Sequence, residues 1–282
     1  MVRSILEDEE EIHPLQFVNS MSFTDGVGSV LASIRRVLRI EITEFRSQRT
    51  PGAAFTYLRS RAESAGIFVL LIGNLGSYHS NIPAEAFRGF ALADPVAPFV
   101  VINDNDAKSA WSFTLLHELA HLWLGATGLS GSSAESGTEQ FSNDVASLFL
   151  VPDFELADID LGRSATTESI AKKISDFAAL RLISRSMVAY RLWRAKIIPE
   201  SLWRNLTLRF REEWRATLAM EKTRDRDSGP NYYVVRRHRL GPALINFVAR
   251  ALSEGTLTPT KASKILGVHP RSVAPLVRGS VA

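Results

Sequence analysis

Two histidines four residues apart enclose an acid in the run His117-Glu118-Leu119-Ala120-His121. On a helix such residues lie one turn apart on the same face, so both imidazoles reach a single ion. Glu118 projects about 100° from His117, near enough to take a proton from a water polarised by that ion. Cysteine is absent, which removes thiolate ligation, a cysteine nucleophile and a disulfide framework. Zinc suits imidazole and carboxylate ligands, and a His/His/Glu set also admits manganese. A hydrolytic zinc site takes three protein ligands and keeps a position for water, so a third ligand is required. Glu139 is the candidate, at the start of the next helix. Glu135 competes from the Gly/Ser-rich stretch 125–137, where a side chain is held loosely. Asn143 follows Glu139 by four on the same helical face and is placed to hold a ligating histidine or the Glu139 carboxylate.

These residues need two adjacent helices to position them. One is expected from about Asp106 to Leu124, stopped by Gly125, with Phe113, Leu116, Ala120 and Trp123 as its apolar bulk. The other runs from about Thr138 to Leu150 and ends at Pro152. Upstream, Val27 to Phe45 has helical spacing. A further helix is punctuated by Thr50 as cap, Pro51 at the first position and Gly66 beyond the end. Ile67–Ile72, Phe87–Leu92 and Pro98–Ile102 read as short strands, the last two separated by a turn at Asp94-Pro95. The fold class is therefore α+β: a small, mostly antiparallel sheet packed on helices, followed by an all-helical C-terminal region.

Hydrophobic residues make up 45% of the chain and charged residues 22%, an ordinary globular composition that excludes whole-chain disorder. The net charge of +3 conceals a polarity. Residues 1–160 carry 10 Lys+Arg against 21 Asp+Glu, a net −11, while residues 161–282 carry 23 against 9, a net +14. The basic half suits nucleic acid or an acidic surface. The expected organisation is an acidic flexible lead-in (1–25), a metal-binding domain (26–158), a helical helix-turn-helix-like domain (159–220), a linker (221–231) and a second helix-turn-helix-like segment (232–282). The acidic start and the lack of a long apolar run point away from a signal peptide or membrane span and toward the cytoplasm.

The run Phe113-Thr-Leu-Leu-His-Glu-Leu-Ala-His121, with Glu139-Gln-Phe-Ser-Asn-Asp-Val-Ala-Ser-Leu-Phe-Leu-Val-Pro152 after it, resembles the ImmA/IrrE family of metallo-endopeptidases. So do Phe87-Arg-Gly-Phe-Ala-Leu-Ala-Asp94 and Ala97-Pro-Phe-Val-Val-Ile-Asn103 upstream. The resemblance implies a zincin-like fold with a gluzincin-like site: His117, His121 and Glu139 bind zinc, and Glu118 is the base. It also implies a protein substrate, a small helix-turn-helix repressor whose cleavage releases stress or mobile-element genes. The residue before the family's asparagine is often Ala or Cys; here it is Ser142, which leaves the ligands untouched.

In such a site Glu118 accepts the proton of the attacking water and delivers it to the leaving amine. Tyr78 and His79 are candidates for the oxyanion donor or a substrate contact. Strand 87–92 offers an edge for an extended substrate. In the basic half, Ser184–Trp193 has the shape of a recognition helix, and Thr258–Val277 reads as helix, glycine turn, helix with Lys261, Lys264 and Arg271 as its cations. Trp193, Trp203 and Trp214 read as core or interdomain anchors. The competing reading is a DNA-binding regulator or toxin–antitoxin component whose peptidase-like module is not catalytic. It predicts salt-dependent DNA binding that survives Glu118→Gln.

Overall fold

The structure is a computed structural model describing all residues except 8–12, 75–79, 131–136, 163–165, 223–230 and 279–282. The helices, in chain order, are α1 (Val2–Glu7), α2 (Val27–Leu38), α3 (Ile42–Arg46), α4 (Pro51–Ser64), α5 (Lys108–Trp123), α6 (Gly137–Leu150), α7 (Asp153–Leu156), α8 (Thr167–Leu180), α9 (Arg185–Arg194), α10 (Glu200–Lys222), α11 (Tyr232–Leu240), α12 (Pro242–Ser253), α13 (Pro259–Leu266) and α14 (Pro270–Val277). The strands are β1 (Phe68–Leu71), β2 (Gly89–Leu92), β3 (Phe99–Ile102) and β4 (Gly128–Ser130), ordered β1-β3-β2-β4. β1 runs parallel to β3, and the β2–β3 and β2–β4 pairs are antiparallel. The molecule is thus α+β, with a small, mostly antiparallel sheet and a helical C-terminal region.

Three departures from the sequence expectations have local causes. The segment 27–45 is two helices, because Arg39 adopts a left-handed conformation (φ 53°) and its N–H caps Arg35. That turn buries Ile40 and Phe45 completely. β4 forms inside the Gly/Ser-rich stretch, where β2 supplies backbone partners that outweigh poor strand propensity. As a result β2 is an interior strand, so the expected free edge at 87–92 is absent; β1 and β4 are the outer strands. Finally, Val2–Glu7 of the acidic lead-in form a helix, α1, which buries Val2 in a core shared with the C-terminal helices.

The larger apolar core surrounds α5 and also takes in Ile174 of α8, Val188 and Leu192 of α9, and Leu206 and Phe210 of α10. Trp193 and Trp203 stack at 4.1 Å between ring centroids and pack against it. Beneath it, Arg46 of α3 and Arg181 at the end of α8 share the Glu155 carboxylate of α7, with closest contacts of 2.9 and 2.7 Å. A second core forms where α11–α14 cover the outer side of β1, Phe247 meeting Phe68 edge-on. Arg59 of α4 rivets this junction, pairing with Glu63 at 3.1 Å and donating to the carbonyls of His238 (2.6 Å) and Val69. Among the described residues, no helix is long and apolar enough to cross a membrane.

Candidate metal centre

α5 is buried on nearly every side, from Ala110 to Trp123 with Phe113 the exception. It packs on α6, α4 and β2, so its polar residues cannot face bulk water and must be satisfied internally. His117, Glu118 and His121 are all buried, Glu118 completely. The i, i+4 spacing puts the two imidazoles side by side, Nε2 to Nε2 at 2.9 Å.

Glu139 enters from the first turn of α6, where a carboxylate also complements the helix dipole. Its Oε2 lies 3.2 Å from His117 Nε2 and its Oε1 3.3 Å from His121 Nε2. The three ligand atoms lie within 4.8 Å of one another. Ligands about 2.0–2.1 Å from a tetrahedral zinc ion are separated by about 3.3 Å, and the observed spacings of 2.9, 3.2 and 3.3 Å are close to that edge.

The protonation pattern agrees with a cation. His117 Nδ1 is 2.9 Å from Asn143 Oδ1, and a carbonyl oxygen only accepts, so Nδ1 carries the proton. Nε2 of the neutral ring then aims a lone pair at the Glu139 carboxylate, an arrangement that a shared cation stabilises. Burial pushes the His117 imidazole below its usual value, against the upward pull of Glu139. It therefore favours the neutral, ligating form. Burial works upward on Glu139, but the two imidazoles that face it outweigh that and hold its carboxyl at about 2, so it stays ionised and able to ligate.

Residues not singled out in the sequence complete the site. Gly89 of β2 backs Glu118: a Cβ there would lie 2.8 Å from Glu118 Oε1, 2.7 Å from Thr114 Cγ2 and 3.0 Å from the Val101 carbonyl. Only glycine lets the strand pass this close, and the signal in the sequence is a glycine within an apolar strand. Next to Asn143, Asp144 accepts from Arg194 Nε and from the Tyr190 hydroxyl, both at 2.8 Å. Burial and the Asp144 charge push the Tyr190 phenol well above its usual value, so it remains a donor. Nothing in local periodicity marks this α6–α9 clamp. Tyr78, His79 and Glu135 lie outside the described residues.

Residues 63–192, from the end of α4 to within α9, match the family model described as the IrrE N-terminal-like domain, Peptidase_M78. Over that stretch the chain is similar to the IrrE N-terminal-like domain of the ImmA/IrrE family. No curated protein and no solved structure matches the chain. The IrrE-like stretch contains the whole His117/His121/Glu139 group, the backing strand β2 and Asp144, and it stops two residues short of Arg194. The chain thus carries a metallopeptidase-like domain with a donor group compatible with a metal ion.

Proposed function

We propose that this chain is a zinc-dependent endopeptidase acting on a protein substrate. The observation that carries the reading is the convergence of two imidazoles and one carboxylate from α5 and α6, with Glu118 buried next to them. His117, His121 and Glu139 would hold the ion, which supplies Lewis acidity and a water activated near neutral pH; manganese is the alternative that this donor set admits. Glu118 would take the proton of the attacking water and return it to the leaving amine, a role worth about 10²–10⁴-fold in rate. Asn143 keeps His117 in the ligating tautomer, and Gly89 leaves room for the Glu118 carboxylate.

On the family resemblance, the substrate is a small helix-turn-helix repressor, and its cleavage derepresses stress or mobile-element genes. The lack of cysteine suits a reducing compartment, and the reaction is assigned to the cytoplasm. The test is to incubate the zinc-loaded chain with small helix-turn-helix repressors encoded beside it. Fragments of defined mass should appear, and should be lost on chelation and in Glu118→Gln. Repressors left intact by a chain with a full complement of zinc would overturn the substrate assignment. Cleavage that persists in Glu118→Gln would overturn the catalytic one.

A further inference from the structure

We propose that α13 and α14 form a helix-turn-helix that binds double-stranded DNA, with α14 in the major groove. The segment lies outside the residues matched by the family model, and the proposal does not rest on the peptidase reading.

The geometry is built into the sequence of the turn. α13 and α14 are joined by Gly267-Val268-His269, and Gly267 is left-handed (φ 57°, ψ 43°). A non-glycine residue is strained there, so the glycine sets the sharp exit from α13. Thr258 caps α13 by accepting from Lys261 N–H, and Pro259 and Pro270 begin the two helices, where a missing N–H costs nothing. Ala262, Leu266, Val273 and Leu276 are buried between the pair and α12. Two arginines of α11 close the C-terminal ends of the two helices: Arg236 donates to the carbonyls of Leu266 and Gly267, at the turn, and Arg237 to those of Pro275 and Leu276. The two helices are thereby held at a set angle on a rigid base.

What this arrangement leaves outward suits a duplex. Arg271, Ala274, Pro275 and Arg278 are exposed, and positions i, i+3, i+4 and i+7 make one helical face. Its centre is small and its ends are cationic, about 10.5 Å apart along the axis, which fits a major groove about 12 Å wide. Ala and Pro permit close approach to the groove floor and contact with a thymine methyl, while Arg reads guanine or phosphate. Lys261 and Lys264 are exposed on α13, the helix that crosses the backbone in this motif. From Gly255 to the end of the chain there are four Lys+Arg and no Asp or Glu. Among the described residues none of these four cations has an acidic partner. A merely solvated face would carry mixed charge; this one is complementary to a polyanion along two helices.

The test uses the full chain and a fluorescein-labelled random-sequence duplex of about two helical turns, followed by anisotropy from low to physiological salt. Binding should weaken with salt, each phosphate contact contributing about 0.9 to the slope of log K against log salt. Lys264→Ala/Arg271→Ala should lose more than tenfold at low salt and flatten that slope by about 2. Arg278→Ala, at the end of α14 where it cannot unfold the helix, should lose severalfold. Arg204→Ala, which removes an exposed cation paired with Glu200 on α10, and Glu118→Gln should bind as the parent does. Failure of the duplex to bind at low salt would overturn the proposal, as would an unchanged slope in the double variant. Labelled polyglutamate binding as tightly as the duplex would overturn it in favour of an acidic protein partner.

Discussion

Arg194 of α9 grips both carboxylate oxygens of Asp144, the residue that immediately follows the asparagine holding His117. Tyr190, one turn earlier on α9, donates to the same carboxylate at 2.8 Å. The register of α6, and with it the placement of Glu139 and Asn143, is therefore tied to a helix at the far end of the IrrE-like stretch. Asp144→Ala should destabilise the chain by about 1–3 kcal/mol, since it strips the acceptor from two partly buried donors. It should also weaken metal binding with every ligand intact. Chemical denaturation and metal titration of the same variant measure the two effects; unchanged metal affinity would confine Asp144 to stability.

Asn143→Ala removes the acceptor that fixes the His117 tautomer. Partners of metal-bound histidines typically contribute 10–100-fold in affinity, and a loss of that size is expected in competition with a chromophoric chelator. Asn143→Asp keeps an acceptor at the same place and should recover most of it. Equal losses in both variants would mean that Oδ1 is not what matters.

Gly89→Ala puts a Cβ between β2 and α5, against Glu118, Thr114 and the Val101 carbonyl. Either the strand shifts or the Glu118 carboxylate is displaced. The expected cost is about 1–3 kcal/mol in stability, together with a fall in cleavage rate of about 10- to 100-fold from misplacement of the base. Metal content should stay at the parental level, because no ligand is touched; its loss would place Gly89 in the metal site.

Metal removal should be visible in folding as well as in activity. A ligand present at about 1,000 times its Kd adds about 4 kcal/mol to the stability of the folded state. Thermal melting of chelated protein should thus shift upward as zinc is restored, and His121→Ala should abolish the dependence while leaving the chelated baseline largely intact. A zinc-dependent shift that survives in His121→Ala would locate the binding elsewhere.

At the junction with the C-terminal helices, Arg59→Met leaves Glu63 buried without its partner and strands the His238 carbonyl at the end of α11. Breaking a buried pair from one side costs about 3–5 kcal/mol. Proteolysis should then release the helices beyond α10 before the rest of the chain is cut. Parental resistance in this variant would show that the Phe68–Phe247 contact and its neighbours hold the junction without it.

The parts of this protein that could be read from its residues are those set by spacing along one helix or by a cap. Four-residue separation alone places His117 and His121 on one face, and Thr50, Pro51 and Ser184 mark helix starts through their own hydrogen bonds or ring geometry. Glu139 could be preferred over Glu135 because a helical start orients a side chain. Contacts between residues distant in the chain carry no such local mark. Strand pairing made β4 from a Gly/Ser-rich stretch and turned β2 from an edge into an interior strand. Close packing alone gave Gly89 its task against Glu118, and the meeting of α6 with α9 joined Asp144 to Arg194, 50 residues away. Propensity and capping act over a few residues, whereas the register of a sheet and the approach of two helices come from burying apolar surface that the whole chain shares.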